Sequence, residues 1–384
     1  MDIGSQVSAC VPVKAPVKVA LLGAGVIAEP HAHALKQLSG AAELTAVCDR
    51  DAAKAKALQQ KWSIPAVYES VHAMLDGARP DVVHVLLPPA AHADAAIECI
   101  EGGSHVFVEK PFCLSTKDCR RVMDAAAAHQ RRVGVSHNLT FMPSILRMVE
   151  EIRNCRIGAV QHVTLVYSLP LRPLLVSGPH THWMFGSPER IMLELGPHPL
   201  SVIYRLLGPT VSAATSLAGK RTLSNGQTFY SSWLTSLVCE RGSAQCTLML
   251  GGEYLDTWVH AVGQDGEIVA DLRRNTLRLS EKSRYPRTDN MRDAWKNGKG
   301  ILGQSLRNFK AQMAGALGFA PAYEMQTLSM NASIKAFYDA LIAGQRLPVD
   351  GSDGLAVMES CEAVLDGARV LSQASEVEQI VAIR

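Results

Sequence analysis

Lys110 stands in Val108-Glu109-Lys110-Pro111, at the close of an apolar run of strand length. Pro111 holds the preceding residue extended. An ammonium group at the carboxyl end of a buried parallel strand lies where an open α/β sheet presents its ligands. There it can sit beside a nicotinamide and a substrate hydroxyl, and desolvation would suit it to proton transfer. A second group of residues supplies the reason to expect a nicotinamide. Val19 to Leu22 is a short apolar run followed by Gly23-Ala24-Gly25-Val26-Ile27-Ala28 and then by a segment able to continue as a helix. This is the strand, turn and helix order of the dinucleotide fingerprint. Gly23 allows the tight turn, Gly25 lets a pyrophosphate approach the backbone, and the helix N-terminus meets the phosphate charge. Asp49 ends the next strand-like run, Glu43 to Cys48, 21 residues after Ala28. A carboxylate there binds the ribose hydroxyls of NAD, while Arg50 beside it keeps NADP open. The bland alternative is an ordinary strand–turn–helix with Asp49 as a turn or cap residue.

These groups need a scaffold, and residues 16–138 read as one. Short β-branched runs alternate with alanine-rich helical segments, as in Val82–Leu87, His92–Glu101, His105–Glu109 and Arg132–Ser136. Asp51, Ser70 and Ser115 stand where helix caps are expected. The pattern predicts a doubly wound parallel Rossmann sheet binding NAD(P). Residues 1–15 read as a leader. From 139 to 384 the pattern changes to strands at Val160–Leu169, Thr210–Ala218, Thr228–Glu240, Ser243–Gly251 and Thr257–Val262. An amphipathic helix precedes them at Ser144–Asn154, and closing helices follow at 326–345 and 352–373. The expectation is an α+β domain on a large, mostly antiparallel open sheet, serving substrate binding and oligomerisation.

The bulk numbers narrow the class. The 384 residues suit two domains, and 47% hydrophobic with 19% charged residues describes a soluble globular chain. A net charge of +2 gives no reason to propose nucleic acid. No apolar run is long enough for a membrane span. Nine scattered cysteines with no Cys-x-x-Cys point to a reducing, cytoplasmic compartment. Lys282 to Lys310 carries eight Lys/Arg against two Asp, with Trp295, Leu302 and Phe309 among them. Its sharp readings are a basic lid or a membrane-surface helix. We favour a solvated loop and helix packed against the sheet or a partner subunit.

GAGVIA, the Asp49 strand end, Leu86-Leu87-Pro88-Pro89-Ala90-Ala91-His92 and Glu109-Lys110-Pro111, in that order, resemble the Gfo/Idh/MocA family of oxidoreductases. The resemblance runs over roughly residues 16 to 375 and implies a Rossmann domain followed by an open-sheet domain. It implies that Lys110 is the catalytic or substrate-orienting lysine, with a cis bond to Pro111. It places Leu87, Pro88, His92, Glu109 and Asn138 along the cofactor and His137 toward the substrate.

The family's second signature, D-x-G-x-H usually followed by a later Asp, is matched by Glu194-Leu-Gly196-Pro-His198. Glu194 replaces the Asp, and Ser201 replaces the later one. Pro197 suits a first helical position, so His198 falls in a first turn whose dipole favours a neutral, proton-accepting imidazole. Glu194 then orients His198 or binds substrate hydroxyls; its extra methylene matters, because about 1 Å of misplacement can cost ~10²-fold. His198 read blandly is a buried structural histidine. His180, His182 and Trp183 precede the signature. A metal on His180, His182, Glu194 and His198 is chemically conceivable, but substrate contact is preferred and no metal is expected.

The resemblance implies hydride transfer between nicotinamide and a secondary alcohol or ketone carbon of a sugar, cyclitol or related polyol. Two alternatives stay open: a redox-neutral lyase or glycosidase-like enzyme using transient oxidation, and a non-catalytic ligand-binding regulator. Relatives commonly associate through the open sheet, so a homodimer or homotetramer is expected.

Overall fold

The computed structural model describes residues 12–178, 180–283, 285–319 and 323–370. The chain falls into two compact units: the residues up to Phe141 with Glu324–Met358, and Met142–Tyr323 with the residues from Glu359. The sequence places one boundary at residue 138 and assigns everything after it to the second domain. Instead the chain returns to the first unit for Glu324–Met358.

The first unit alternates strands and helices: β1 (Val17–Leu22), α1 (Ala28–Lys36), β2 (Ala42–Cys48), α2 (Ala52–Trp62), β3 (Ala66–Tyr68), α3 (Val71–Ala78), β4 (Val82–Val85), α4 (His92–Glu101), β5 (His105–Val108), α5 (Thr116–Ala128) and β6 (Val133–Val135). The caps act as their chemistry requires. Asp51 accepts from Ala53 and Lys54 N–H, Ser70 from Ala73 N–H and Ser115 from Asp118 N–H. The six strands are parallel in the order β3-β2-β1-β4-β5-β6. The order reverses between β1 and β4, the crevice where a doubly wound sheet binds its ligand. β1, β4 and β5 are almost wholly buried, which is why they read as continuous apolar runs.

The second unit holds α6 (Pro143–Arg153), β7 (Val160–Ser168), α7 (Arg172–Ser177), α8 (Pro188–Leu195), α9 (Pro197–Leu207), β8 (Thr210–Thr222), β9 (Thr228–Cys239), β10 (Gly242–Met249), β11 (Asp256–Gly263), β12 (Gly266–Asp271), β13 (Thr276–Glu281) and the long α10 (Pro286–Ala316). The chain then forms α11 (Met325–Ile342), α12 (Gly351–Asp366) and β14 (Ala368–Val370). The eight-stranded sheet runs β13-β12-β11-β7-β10-β9-β8-β14. It is antiparallel except at β7–β10 and β8–β14. In β9 the side chains alternate, Trp233, Leu237 and Cys239 inward and Leu234 and Val238 outward. The inner face lies under α6 and α9.

Two local expectations change. The helix expected over 352–373 stops at Asp366, because Ala368–Val370 pairs with β8 as an edge strand. β12 and β13 add two strands beyond Val262, where short runs and frequent charges give little periodic signal. In the first unit α11 completes the core: Ile334, Phe337 and Leu341 pack with Val19, Leu21 and Leu35.

Candidate active site

In the first unit the glycine loop is shaped by contact. Gly23 has φ +109°, and a Cβ there would lie 2.6 Å from the Leu86 carbonyl oxygen, so only glycine fits. Its N–H donates to Cys48 O at 2.8 Å, tying the turn to the end of β2. Gly25 differs: a Cβ on it would meet no protein atom within 4 Å. Val26 points outward, Ala24 and Ile27 are part-buried, and α1 begins at Ala28 without a side-chain cap. The uncapped N-terminal N–H groups leave donors suited to an anion. Asp49 accepts from Ala24 N–H at 2.7 Å with one carboxylate oxygen and from Asp51 N–H at 2.8 Å with the other. Each oxygen keeps a second lone pair, so the carboxylate can still accept from a ribose hydroxyl. Arg50 beside it is exposed.

Lys110 follows β5 directly, and its peptide bond to Pro111 is cis. Leu87 and Pro88 follow β4, whose end is tied back by Leu86 N–H to Leu22 O at 2.8 Å. His92 joins these two segments: its Nδ1 lies 2.9 Å from Pro111 O and its Nε2 2.7 Å from Leu87 O. Burial lowers its pKa more than the two carbonyls raise it, so the neutral ring donates to one carbonyl at a time. His92 thus lies buried beneath the loops and holds them in place.

Glu109 is buried and ionised. Burial pushes its pKa up, but hydrogen bonds from His31 and Ser136 and the charges of His31 and Lys110 outweigh it and leave it at about 2. Its Oε2 accepts from Lys110 N–H at 3.0 Å, and its Oε1 lies 2.9 Å from His31 Nε2. The chain continues inward. His31 Nδ1 is 2.8 Å from His84 Nδ1, and His84 Nε2 is 2.8 Å from the Tyr338 hydroxyl. Burial and the neighbouring His31 hold the His84 pKa well below the usual imidazole range. His137 is buried with no protein hydrogen bond on either ring nitrogen, and burial drops its pKa to about 4. Asn138 is also buried and opens the 3₁₀ turn after His137.

In the second unit Gly196 joins α8 to α9. A Cβ there would lie 2.2 Å from Met192 Sδ and 2.4 Å from Met192 O, which accounts for the glycine. Pro197 opens α9, and His198 sits in its first turn as expected. The His198 ring faces Tyr167 of β7 with centroids 5.9 Å apart. Burial and the Glu194 charge push the Tyr167 phenol well up. Glu194 Oε2 accepts from Trp183 Nε1–H at 2.9 Å, so the replacing carboxylate has a dedicated donor. Ser201 donates to His198 O at 2.8 Å, a bond internal to α9. His180 Nδ1 accepts from Ser224 N–H and meets its hydroxyl at 2.7 Å, leaving Nε2 buried without a partner. His182 caps a 3₁₀ turn through Met184 N–H. Among the described residues no three His, Cys, Asp or Glu side chains are grouped as metal ligands would be.

Residues 17–137 match the family profile described as "Oxidoreductase family, NAD-binding Rossmann fold" of Gfo/Idh/MocA. Residues 17–137 thus carry the NAD-binding Rossmann fold of the Gfo/Idh/MocA oxidoreductases. The match covers the Gly23 loop, Asp49 and Lys110. The D-glucoside 3-dehydrogenase of Escherichia coli is 27% identical over 206 residues, 52% of this chain and 57% of that one. The chain thus spans little more than half of that relative. The inositol 2-dehydrogenase of Acidothermus cellulolyticus is 26% identical over 278 residues, 70% of this chain and 77% of that one. An oxidoreductase from Agrobacterium radiobacter, solved with NAD+, L-tartaric acid and magnesium, shares the fold with TM-score 0.72. It is 17% identical and covers 91% of this chain and 96% of that one.

NAD fits the residues present in this first unit. Open space at Gly25, the α1 N-terminus and the remaining Asp49 lone pairs suit the pyrophosphate and ribose of NAD. Sequence reasoning missed His31 and Ser136, which bond Glu109, and His84 and Tyr338, which continue the chain from His31. The one available signal was polarity inside apolar elements. His84 interrupts Val82-Val83-His84-Val85, and buried polar groups are paired.

Proposed function

We propose that this chain is an NAD(P)-dependent oxidoreductase that moves a hydride between nicotinamide and a secondary alcohol or ketone carbon of a sugar, cyclitol or related polyol. The glycine loop carries the reading: Gly23 is sterically obligatory, whereas Gly25 faces open space and needs no glycine for packing. The names of the glucoside and inositol dehydrogenase relatives support the substrate class.

When bound, the nicotinamide supplies the hydride acceptor or donor. Lys110 takes the hydroxyl proton as the alcohol becomes a carbonyl, and returns it in reduction. The ionised Glu109 accepts from the Lys110 backbone, and His92 holds the Pro111 carbonyl, so both neighbours of Lys110 are anchored. Within the second unit, His198 is the residue proposed to hydrogen-bond a substrate hydroxyl. Glu194, oriented by Trp183, accepts from a second hydroxyl. The buried, unpartnered His137 presents a neutral imidazole as a further polar contact. Asp49 favours NAD, and exposed Arg50 offers a cation to a 2′-phosphate if NADP is used. The eight described cysteines are all free and seven are buried, which supports a reducing cytoplasmic setting. No helix among the described residues is long and apolar enough to cross a membrane.

The test is absorbance at the reduced-nicotinamide band with purified protein, NAD or NADP, and a panel of sugars, cyclitols and glycosides. Net reduction by one compound, lost by about 10²–10⁴-fold in Lys110→Met with nucleotide affinity kept, is expected. Product formed without net reduction would replace the dehydrogenase with a redox-neutral enzyme. Absence of nucleotide binding would refute both.

A further inference from the structure

α10 lies on its sheet the wrong way round for an amphipathic helix. Asn297, Gln304 and Asn308 form one stripe: Asn297 and Gln304 satisfy open backbone groups of β13, the edge strand, and Asn308 bonds the turn just before it. Asn297 Oδ1 accepts from Leu279 N–H at 3.2 Å and Gln304 Oε1 from Leu277 N–H at 2.8 Å, while Gln304 Nε2 donates to Leu277 O at 2.9 Å. Asn308 Nδ2 donates to Arg274 O at 2.7 Å. An edge strand needs such cover, and these bonds set the helix's rotation about its own axis. The opposite stripe therefore faces outward by construction, and it is apolar: Met291, Trp295, Leu302, Leu306, Phe309 and Met313 are all exposed. At 100° per residue these six fall within a narrow band opposite Gln304, the width of a coiled-coil seam and not of a core-facing stripe.

The seam is also its own mirror image. Leu302 and Leu306 stand two residues either side of Gln304, Trp295 and Met313 nine, and Met291 and Leu317 thirteen. We propose that α10 pairs antiparallel with α10 of a second copy of this chain, about a two-fold axis through Gln304. Leu302 then meets the second copy's Leu306, Trp295 its Met313, and Met291 its Leu317. An isologous interface must be self-complementary, and this seam is.

The charges agree with the same axis. Arg292, Lys296, Lys299, Arg307 and Lys310 flank one side of the seam. About Gln304 their opposite numbers are Ala316, Gln312, Phe309, Ile301 and Gly298, so no basic residue faces another. Lys299 instead lies opposite an aromatic ring, a favourable place for an ammonium. A helix of 31 residues is about 46 Å long. Large side chains along most of that length bring the contact to the order of the ~800 Å² per partner of a stable interface.

Two measurements on the full chain test this. Sedimentation velocity should give a mass that halves in Leu302→Glu/Leu306→Glu, with self-association weakened about thirty-fold or more. Both side chains are exposed in the single chain, so NADH binding should be unchanged, and the melting temperature should lose its dependence on protein concentration. Under oxidation, Trp295→Cys/Met313→Cys should form a covalent dimer on a non-reducing gel, which neither single variant nor the parent forms. A parent that sediments as a monomer, a double glutamate variant with unchanged mass, or equal cross-linking in the single variants would overturn the pairing. So would a seam whose substitution abolishes flotation with phosphatidylserine vesicles while leaving the mass unaltered, since that outcome assigns the stripe to an anionic lipid surface.

Discussion

Replacing Gly25 by alanine separates the cofactor's requirement from the fold's. A Cβ at Gly25 meets nothing within 4 Å, and its φ lies outside the region that only glycine adopts. The apo protein should therefore keep its stability to within ~0.5 kcal/mol, or gain about 0.4–1 kcal/mol by restricting the unfolded chain. The methyl group would nevertheless occupy the space where the pyrophosphate must approach the backbone. Hydrogen bonds from N–H groups to a charged phosphate contribute about 1.5–3 kcal/mol each. Displacing the phosphate from one or two of them weakens NAD(H) by about ten-fold to ~10⁴-fold, at about 1.4 kcal/mol per decade. Titration of NADH followed by energy transfer from tryptophan gives the affinity, and differential scanning fluorimetry gives the melting temperature without ligand. An unchanged melting temperature with lost binding is the expected pair of results. Wild-type affinity in Gly25→Ala would refute the placement of the pyrophosphate at this loop. A collapsed melting temperature would show that the open space beside Gly25 is wrongly described.

Gly23→Ala should behave oppositely: its Cβ would strike Leu86 O at 2.6 Å with φ at +109°, so the melting temperature itself should fall, by about 1–3 kcal/mol or more of stability. Tyr338→Phe removes the hydroxyl bonded to His84 Nε2 and should cost about 1–3 kcal/mol in urea unfolding, a loss shared non-additively with His84→Phe in a double-mutant cycle. Acid stability follows from His137 and Glu109, whose folded pKa values are depressed to about 4 and about 2. Both therefore contribute stability at neutral pH that is lost on acidification, His137 from about pH 6.5 down to 4 and Glu109 from about 4.5 down to 2. Melting temperatures measured across that range should fall, and His137→Phe should flatten the upper part of the curve; an unchanged slope would count against the buried neutral imidazole. Trp183→Phe should leave the fold intact but raise KM more than it lowers kcat, because it frees Glu194 from its Nε1–H donor.

The features legible in the amino-acid sequence are local. The Gly23 turn, the capping residues Asp51, Ser70 and Ser115, the alternation of strand and helix, and the Pro197–His198 helix start all depend on residues within one turn or strand. Backbone sterics and capping chemistry act at that range, so residue type and spacing suffice. The Glu109 surroundings were illegible for the opposite reason. His31, His84 and Tyr338 come from α1, β4 and α11, with His84 and Tyr338 254 residues apart. No periodicity links them. The return of Glu324–Met358 to the first unit, and the pairing of Ala368–Val370 with β8, likewise rest on packing between distant segments.

Sequence alone determined the glycine loop, Asp49, Lys110 and the Glu194–Gly196–His198 spacing, because each is a demand of local geometry or of the family pattern. The tertiary structure decided which of these side chains were already engaged. Asp49 gives an oxygen to Ala24 N–H and another to Asp51 N–H, His92 spans two carbonyls, and Glu194 holds Trp183. It also decided that α10 turns its polar stripe inward, where an edge strand's backbone groups outweigh the usual burial of apolar residues. Such choices depend on which hydrogen-bonding groups the fold leaves open, and that is settled only when distant strands have paired.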